Sequence, residues 1–402
     1  MIKDVIIVGG GPGGLMAANQ LEGKKDYLLL EKNEKVGKKL LLTGGKRCNI
    51  TNTLSIEAFI ESLHVKHKRF LYKALQTFKN EDILQFFKQR GLNLISENDF
   101  KYFPETGKSR DVLNALLRDI KPNNILYNQS LKRISKEGSL FKLETKTDTF
   151  YTKNVILAVG SNAYPSTGSS GDIQDFAHML GVNTIPFTPA EASLYIKDLD
   201  LIKDLPGLSM TTTLKINKDK KTHHGDILIT HVGLSGPLIL HISELVYHKL
   251  QVEPVFLSFP IIEGTFDDAL EKGKKQKYNL SQLLDSIMTK RLSKHILSLS
   301  NLENKSCHDL NKQEIQTLKN LTESFTLEVL KVEDKEKAFV NAGGIDIKEM
   351  DPNTMQVKKV PGLYVIGESL DLQGPIGGFN ITIAMSTGFL AAKHIKESEE
   401  NR

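Results

Sequence analysis

Residues 5–20 read VIIVGGGPGGLMAANQ, and no other stretch restricts the fold of this 402-residue chain as strongly. Four apolar residues run into five glycines and a proline, and helix-compatible apolar spacing follows. The continuous apolar run fits a strand buried on both faces of a parallel sheet. Gly9, Gly11 and Gly14 satisfy G-x-G-x-x-G at the junction, with Pro12 and Gly13 between the last two. In that pattern the first glycine permits the tight turn, the second lets backbone approach a pyrophosphate, and the third lets helix pack on strand. The opening of the helix from Pro12 to Leu21 offers unpaired N–H groups and positive dipole to phosphates. Residues 27–30 (YLLL) form a second buried strand, and Glu31 follows it about twenty residues after the first glycine, where a carboxylate accepts hydrogen bonds from ribose hydroxyls. This β-α-β setting separates the motif from a chance glycine-rich turn. The same carboxylate repels a 2′-phosphate, which disfavours NADP at this turn.

The rest of the chain bounds the reading. Its length allows roughly two to three domains. The net charge is +5, with Lys and Arg spread along the sequence, so charge alone demands neither a nucleic-acid nor a membrane partner. The two cysteines, Cys48 and Cys307, are far apart, which argues against a disulfide framework or structural zinc and for a reducing, cytoplasmic setting. No apolar stretch approaches the ~20 residues of a membrane span, and the four-residue run near the N-terminus is no secretory signal. His223 and His224 sit in a polar turn without further ligands at suitable spacing, so no metal is expected.

Along the chain, NEDILQFFKQRG and SRDVLNALLRDI read as helices capped by Asn80 and Ser109. Segments 131–134, 140–145 and 149–151 alternate like a small antiparallel meander, and residues 154–159 (NVILAV) return to a buried strand. The texture changes from about Pro189 to Lys335, as an inserted domain would make it change. The expectation is an α/β fold: a discontinuous Rossmann-like FAD-binding domain (1–189 and 336–402) interrupted by an insert (190–335) that is β-barrel-like over 190–262 and helical over 263–325.

The choice between NAD and FAD rests on later glycines. The chain carries one dinucleotide fingerprint, so a second NAD domain is absent from the pattern. The return strand runs into Gly160, and the C-terminal strand runs into GLYVIGESLDLQGPIGGFN, which supplies Gly367, Glu368, Asp371, Gly377 and Gly378. A flavin dinucleotide extends well past its pyrophosphate and needs such backbone approaches. A helix starting near Gly378 aims its N-terminus at the flavin pyrimidine ring, while Glu368 or Asp371 is suited to ribityl hydroxyls.

Four ordered blocks then carry a family resemblance: GKKLLLTGGKRCNITN (37–52), SNAYPSTGSSGD (161–172), THVGLSGP (230–237) and GLYVIGESLDLQGPIGGFNITIAMSTG (362–388). Over essentially the whole chain they resemble the BaiN/RdsA-type, YhiN-like NAD(P)/FAD-dependent oxidoreductases, which include aminoacetone oxidase family enzymes. Two positions depart from the family pattern: Asn341 where threonine is frequent, and Ile366 where an aromatic is common. The motif and the resemblance together give the expected cofactor-binding set. Beyond the residues already named it contains Lys32, Lys39, Gly45, Arg47, Cys48, Asn49, Phe379, Asn380 and Ile381.

Catalytic candidates are fewer. Lys46 sits in the TGGKRCN loop beside the expected flavin, with surface coverage as its alternative role. His231 and Ser235, in THVGLSGP, are suited to binding or protonating substrate, whereas Ser235 or Gly236 also suits a cap for the helix at Pro237. Cys48 lacks a partner thiol and reads as a small buried hydrophobe, and Tyr164 either borders the flavin or packs. The lysine-rich EKGKKQKYNL (271–280) reads as a solvated helix face. The expected function is an FAD-dependent oxidoreductase passing a hydride or electron pair between flavin and a small organic substrate, with NAD(P)H or O2 as redox partner. A flavin-dependent RNA-modifying or RNA-binding protein and a low-turnover redox sensor remain the alternatives.

Overall fold

The computed structural model describes residues 2–63, 65–98, 100–303 and 305–400. The chain divides into two units, Met1–Thr188 with Lys335–Arg402, and Pro189–Asp334.

In the first unit, strand β1 (Ile2–Val8) pairs in parallel with β2 (Tyr27–Leu30) on one side and with Thr149–Leu157 on the other. Val5 to Val8 are buried throughout, the reason the run lacks polar alternation. Helix α1 (Pro12–Leu21) crosses between β1 and β2, with Pro12 in the first turn, where a missing N–H costs nothing. Small residues bring α1 against the last helix, Phe379–Glu400: a Cβ on Gly388 would stand 2.4 Å from the Gly13 carbonyl oxygen.

Two local expectations change. The meander's last piece and the return strand are one nine-residue strand, Thr149–Leu157. Its first half pairs antiparallel with Leu140–Glu144 and its second half parallel with Leu363–Val365. Half-covered and fully covered stretches of one strand therefore carry different textures. Asn80 and Ser109 are the first residues of their helices, and Lys79 and Lys108 occupy the cap positions. The Asn80 amide donates to the Asn52 and Leu54 carbonyls (2.8 and 2.9 Å), and the Ser109 hydroxyl to the Leu41 carbonyl (3.0 Å). Both side chains tie helix starts to neighbouring loops instead of capping them.

In the second unit a closed barrel runs in the order Leu194–Ile196, Gly233–Ser235, Thr222–Ile229, Ser209–Ile216, Val255–Phe259, Phe325–Val332. The barrel is thus incomplete at residue 262. Its sixth strand, Phe325–Val332, arrives after the helices Phe266–Lys275, Leu280–Ile287, Lys290–Ser300 and Lys312–Glu323. That strand pairs with both Val255–Phe259 and Leu194–Ile196, closing two edges that five strands would leave open. Among the described residues no helix is long and apolar enough to cross a membrane.

Candidate functional site

A cleft of about 1090 Å³ of atom-free space opens in the first unit at the carboxyl ends of β1 and β2, the end of a parallel sheet where ligands bind. One wall is the glycine turn. A Cβ on Gly14 would lie 2.0 Å from the Gly9 carbonyl oxygen, so this position is closed by the protein itself. A Cβ on Gly11 would meet nothing within 4 Å and would point into free space. No side chain caps α1 at Gly11, which leaves its leading N–H groups for an external anion.

Glu31 forms the next wall and is only 6% exposed. Its Oε2 accepts from the Gly10 N–H (2.9 Å), and its Oε1 accepts from the Asn33 backbone N–H and side-chain amide (2.9 and 2.7 Å). These three neutral donors fix the carboxylate and leave it acceptor capacity. Among the described residues no cation pairs with it.

The far wall comes from residues remote in sequence. Lys39 Nζ pairs with Glu368 at 2.6 Å, and the Ser161 hydroxyl donates to the same carboxylate at 3.3 Å. The Gly160 N–H donates to the Ser369 hydroxyl (2.9 Å), joining the return strand's exit to that of Leu363–Val365. Lys32, also lining the cleft, is held by Asp172 at 2.7 Å.

The structure therefore brings Gly9, Gly11, Pro12, Gly13, Glu31, Lys32, Lys39, Gly160, Gly367, Glu368, Asn380 and Ile381 onto one cleft. Gly14, Gly45, Lys46, Arg47, Cys48, Asn49, Asp371, Gly377, Gly378 and Phe379 do not line it. Several of them support the lining. With its amide oriented to satisfy both ends, Asn49 accepts from the Gly378 N–H (3.2 Å), and Asn52 donates to the Gly377 carbonyl (3.2 Å). The Thr382 and Thr51 hydroxyls are 2.9 Å apart. The TGGKRCNITN block thus packs on the GGFN turn, and Asn380 closes that turn through both backbone groups of Gly374 (2.9 and 2.7 Å).

Within the block, Gly44, Gly45 and Lys46 are consecutive left-handed residues, and Cys48 is left-handed too (φ 74° at Lys46, 64° at Cys48). Such conformations in non-glycine residues are strained and concentrate at functional sites. Arg47 is engaged by Glu97 and stacks 4.4 Å over the Phe103 ring. The Cys48 thiol is buried, and burial pushes its pKa up to about 12. Burial also raises the Asp371 carboxyl; the Gly343 N–H opposes this, the Asp346 charge adds to it, and the smaller effects of His67 and Lys66 oppose it. Tyr164 packs its ring 6.5 Å from that of Phe339.

His231 and Ser235 belong to the second unit, and neither lines the cleft. His231 is exposed in the turn before Gly233–Ser235. Ser235 accepts from the Ser193 hydroxyl (3.1 Å), and Gly236, not Ser235, takes the cap position of helix Pro237–Leu250.

Sequence reasoning missed part of the lining. Gly10 is required because a Cβ there would stand 2.3 Å from Val36, which the fingerprint does not encode. Asn33, two residues beyond Glu31, carries the readable signal of an amide poised to turn back on a carboxylate. Gln129 carries none: it reaches the cleft because its N–H donates to the Glu31 carbonyl (2.9 Å) in a sheet-edge contact.

The family described as "HI0933-like protein Rossmann domain" matches residues 3–394. The chain belongs to this family. At that level it is a flavin-dependent oxidoreductase of the Rossmann, FAD-binding type. It is 26% identical to the ribosomal RNA dihydrouridine synthase of Escherichia coli (strain K12), with 98% of each chain covered. To the 3-dehydro-bile acid delta(4,6)-reductase of Clostridium scindens it is 28% identical, covering 97% of this chain and 98% of the other. Among solved structures, the 3-ketosteroid delta1-dehydrogenase of Sterolibacterium denitrificans shares the fold at TM-score 0.54 and 13% identity, over 99% of this chain and 100% of that one. The cleft fits the cofactor type in its chemistry: open space at Gly11, an uncapped helix start and an acceptor carboxylate meet at one strand end.

Proposed function

We propose that this chain is an FAD-dependent reductase of carbon–carbon double bonds conjugated to a carbonyl, in a small organic substrate, with NAD(P)H as the external reductant. The observation that carries the reading is the cleft itself, where free space at Gly11, the uncapped α1 terminus and buried Glu31 converge at one strand end. The α1 N–H groups hold the cofactor diphosphate, with no side chain competing for them. Glu31, fixed by Gly10 and Asn33, accepts the adenosine ribose hydroxyls. Glu368, held by Lys39, binds the ribityl chain, and Asn380 sets the turn that presents the last helix's N-terminus. That helix has no acidic residue in its first turn, so its positive end is uncancelled and stabilises negative charge on a bound ring. FAD, when bound, supplies hydride transfer to or from carbon. Lys46, strained and exposed, is the candidate donor of a substrate proton.

The substrate class is drawn from two full-length relatives whose names describe the reduction of a ring double bond, one in uridine and one in an oxidised bile acid. Both bonds are conjugated to a carbonyl, which makes the distal carbon electrophilic. Leu42 and Ile376, both exposed, lie on the two blocks that pack together and offer apolar surface to such a substrate. The test is anaerobic. NADH or NADPH should bleach the flavin absorbance, and cyclohexenone, uridine and a dienone steroid are then offered in turn. Reoxidation by at least one supports the reading. Reduced flavin that all three leave unchanged, but that oxygen reoxidises at once, refutes it in favour of an oxidase.

A further inference from the structure

The first unit carries a second concavity, separate from the glycine-walled cleft. It is an open groove of about 900 Å³ between residues 66–70 and residues 347–358. Lys66, Lys68 and Arg69 stand on one side and Lys348 and Lys358 on the other, and no carboxylate is among the lining residues. Phe70, Ile347 and Met350 form an apolar floor, with Ile347 and Met350 buried.

Much of this charge is unspent. Lys68 pairs with Glu61 at 2.6 Å, and Lys358 Nζ donates to the Lys348 carbonyl at 2.9 Å, which leaves its charge uncompensated. Among the described residues, no carboxylate stands within ion-pair distance of Lys66, Arg69 or Lys348, although Lys66 acts at longer range on Asp371 and Arg69 on Glu61. All three are exposed, so no packing requirement accounts for them. Several cations facing one another across a concavity repel, and an anion seated between them removes that repulsion. Arg69 supplies a planar fork suited to phosphate oxygens, the lysines supply point charges, and an apolar floor suits a flat base or sugar face.

We propose that this groove binds the phosphate ester of a nucleotide, phosphate on the Lys66–Arg69–Lys348 rim and the organic part on the Phe70–Met350 floor. The glycine turn is taken by the flavin dinucleotide in the proposed function, so a second nucleotide needs another seat, and this groove lies on the same unit. The same chemistry has two sources, the 2′-phosphate end of a nicotinamide dinucleotide and the backbone of a nucleic-acid strand. The proposal concerns binding and goes beyond the reductase reading.

The test uses the full-length holoprotein and two probes, 2′,5′-ADP by calorimetry and a fluorescent oligouridylate by anisotropy, at about 50 mM salt, where phosphate–cation binding is strongest. Lys66→Gln/Arg69→Gln/Lys348→Gln should weaken the probe that the native protein binds by roughly tenfold or more in Kd, about 1.4 kcal/mol. Flavin content and melting temperature should be unchanged. Lys272→Gln/Lys274→Gln/Lys275→Gln, on the lysine-rich helix of the other unit, should leave affinity intact, and Lys348→Glu alone should reproduce part of the loss. Binding of 2′,5′-ADP assigns the groove to a dinucleotide, and binding of the oligonucleotide alone assigns it to a strand. Failure of both probes to bind below about 1 mM, full affinity in the groove variant, or an equal loss in the control variant overturns the proposal.

Discussion

Replacing Gly11 and Gly14 separately by alanine divides ligand contact from packing within one motif. Gly11 sits at φ −81°, ψ −178°, extended backbone that alanine adopts freely. Its added methyl would meet no protein atom within 4 Å. Alanine is a poorer helix cap than glycine, but it also reduces unfolded-chain entropy by about 0.4–1 kcal/mol, so the two effects nearly cancel. The apoprotein of Gly11→Ala should melt within about 4 °C of the native apoprotein, given about 2–4 °C per kcal/mol. Its FAD affinity should fall, because the methyl occupies the space a phosphate must enter. Losing one hydrogen bond to a charged group costs roughly 1.5–3 kcal/mol, or about 10- to 150-fold in Kd. Gly14→Ala reverses the pattern: its methyl would stand 2.0 Å from the Gly9 carbonyl oxygen and 3.4 Å from the Ala158 side chain. Helix α1 must withdraw from the sheet, at the ~1–3 kcal/mol of an overpacked core or more. Thermal melts of flavin-stripped protein and fluorescence titration with FAD measure the two quantities. Equal destabilisation of both apoproteins, or native FAD affinity in Gly11→Ala, would refute the assignment of Gly11 to the cofactor.

Glu31→Gln places an amide nitrogen against one of the two backbone N–H donors, Gly10 or Asn33. Orphaning that donor costs about 1–3 kcal/mol of stability in apoprotein and holoprotein alike. Exchanging a charged for a neutral acceptor of the ribose hydroxyls costs about 1 kcal/mol more, so FAD should dissociate roughly fivefold faster by stopped-flow fluorescence, and an unchanged rate would remove Glu31 from the site. Cys48 should be inert in the folded state, since burial holds its thiol near a pKa of about 12. At pH 8 its thiolate fraction is about a thousandfold below that of an ordinary thiol, and rapid native-state labelling at Cys48, located by peptide mapping, would contradict this. Tyr27 is also raised, chiefly by burial and then by its hydrogen bond to Glu22. Both groups have folded pKa values above their unfolded ones, so their stabilisation is complete below about pH 9 and is lost as pH rises beyond it. Melting temperature should decline from about pH 9 upward, and a flat profile to about pH 10.5 would exclude this linkage.

What the sequence conveyed about the site follows from how far apart the cooperating atoms lie along the chain. Gly9, Gly11, Gly14 and Glu31 are legible because their constraint is local. One strand, one turn and one helix determine where the N–H groups point, and the acid falls at the end of the adjacent parallel strand. Lys39 and Glu368 were expected separately, but their ion pair was not, since 329 residues separate them and only the completed sheet brings them together. The same distinction explains the barrel. Residues 194–259 carry the alternation of five strands, yet closure depends on Phe325–Val332 pairing at both ends of the row, and nothing in a strand's own pattern states which edge it will cover. Asn80 and Ser109 fail for a related reason: their side chains resemble caps in sequence, but carbonyls of Asn52, Leu54 and Leu41 compete for them in space. Local rules therefore recover the half of the cleft that one crossover builds. The half built by the return strand, the C-terminal strand and the last helix is recovered only as motif blocks, because what joins those blocks is hydrogen bonding across the fold, as at Gly160 and Ser369. A substitution at Ser369 should accordingly disturb the cleft without touching the fingerprint. Ser369→Ala removes the acceptor of the Gly160 N–H in a buried site, costing about 1–3 kcal/mol, and a lowered melting temperature with weakened FAD binding is the expected joint readout. Weakened stability with native FAD affinity would mean that the two strand exits are coupled for folding alone.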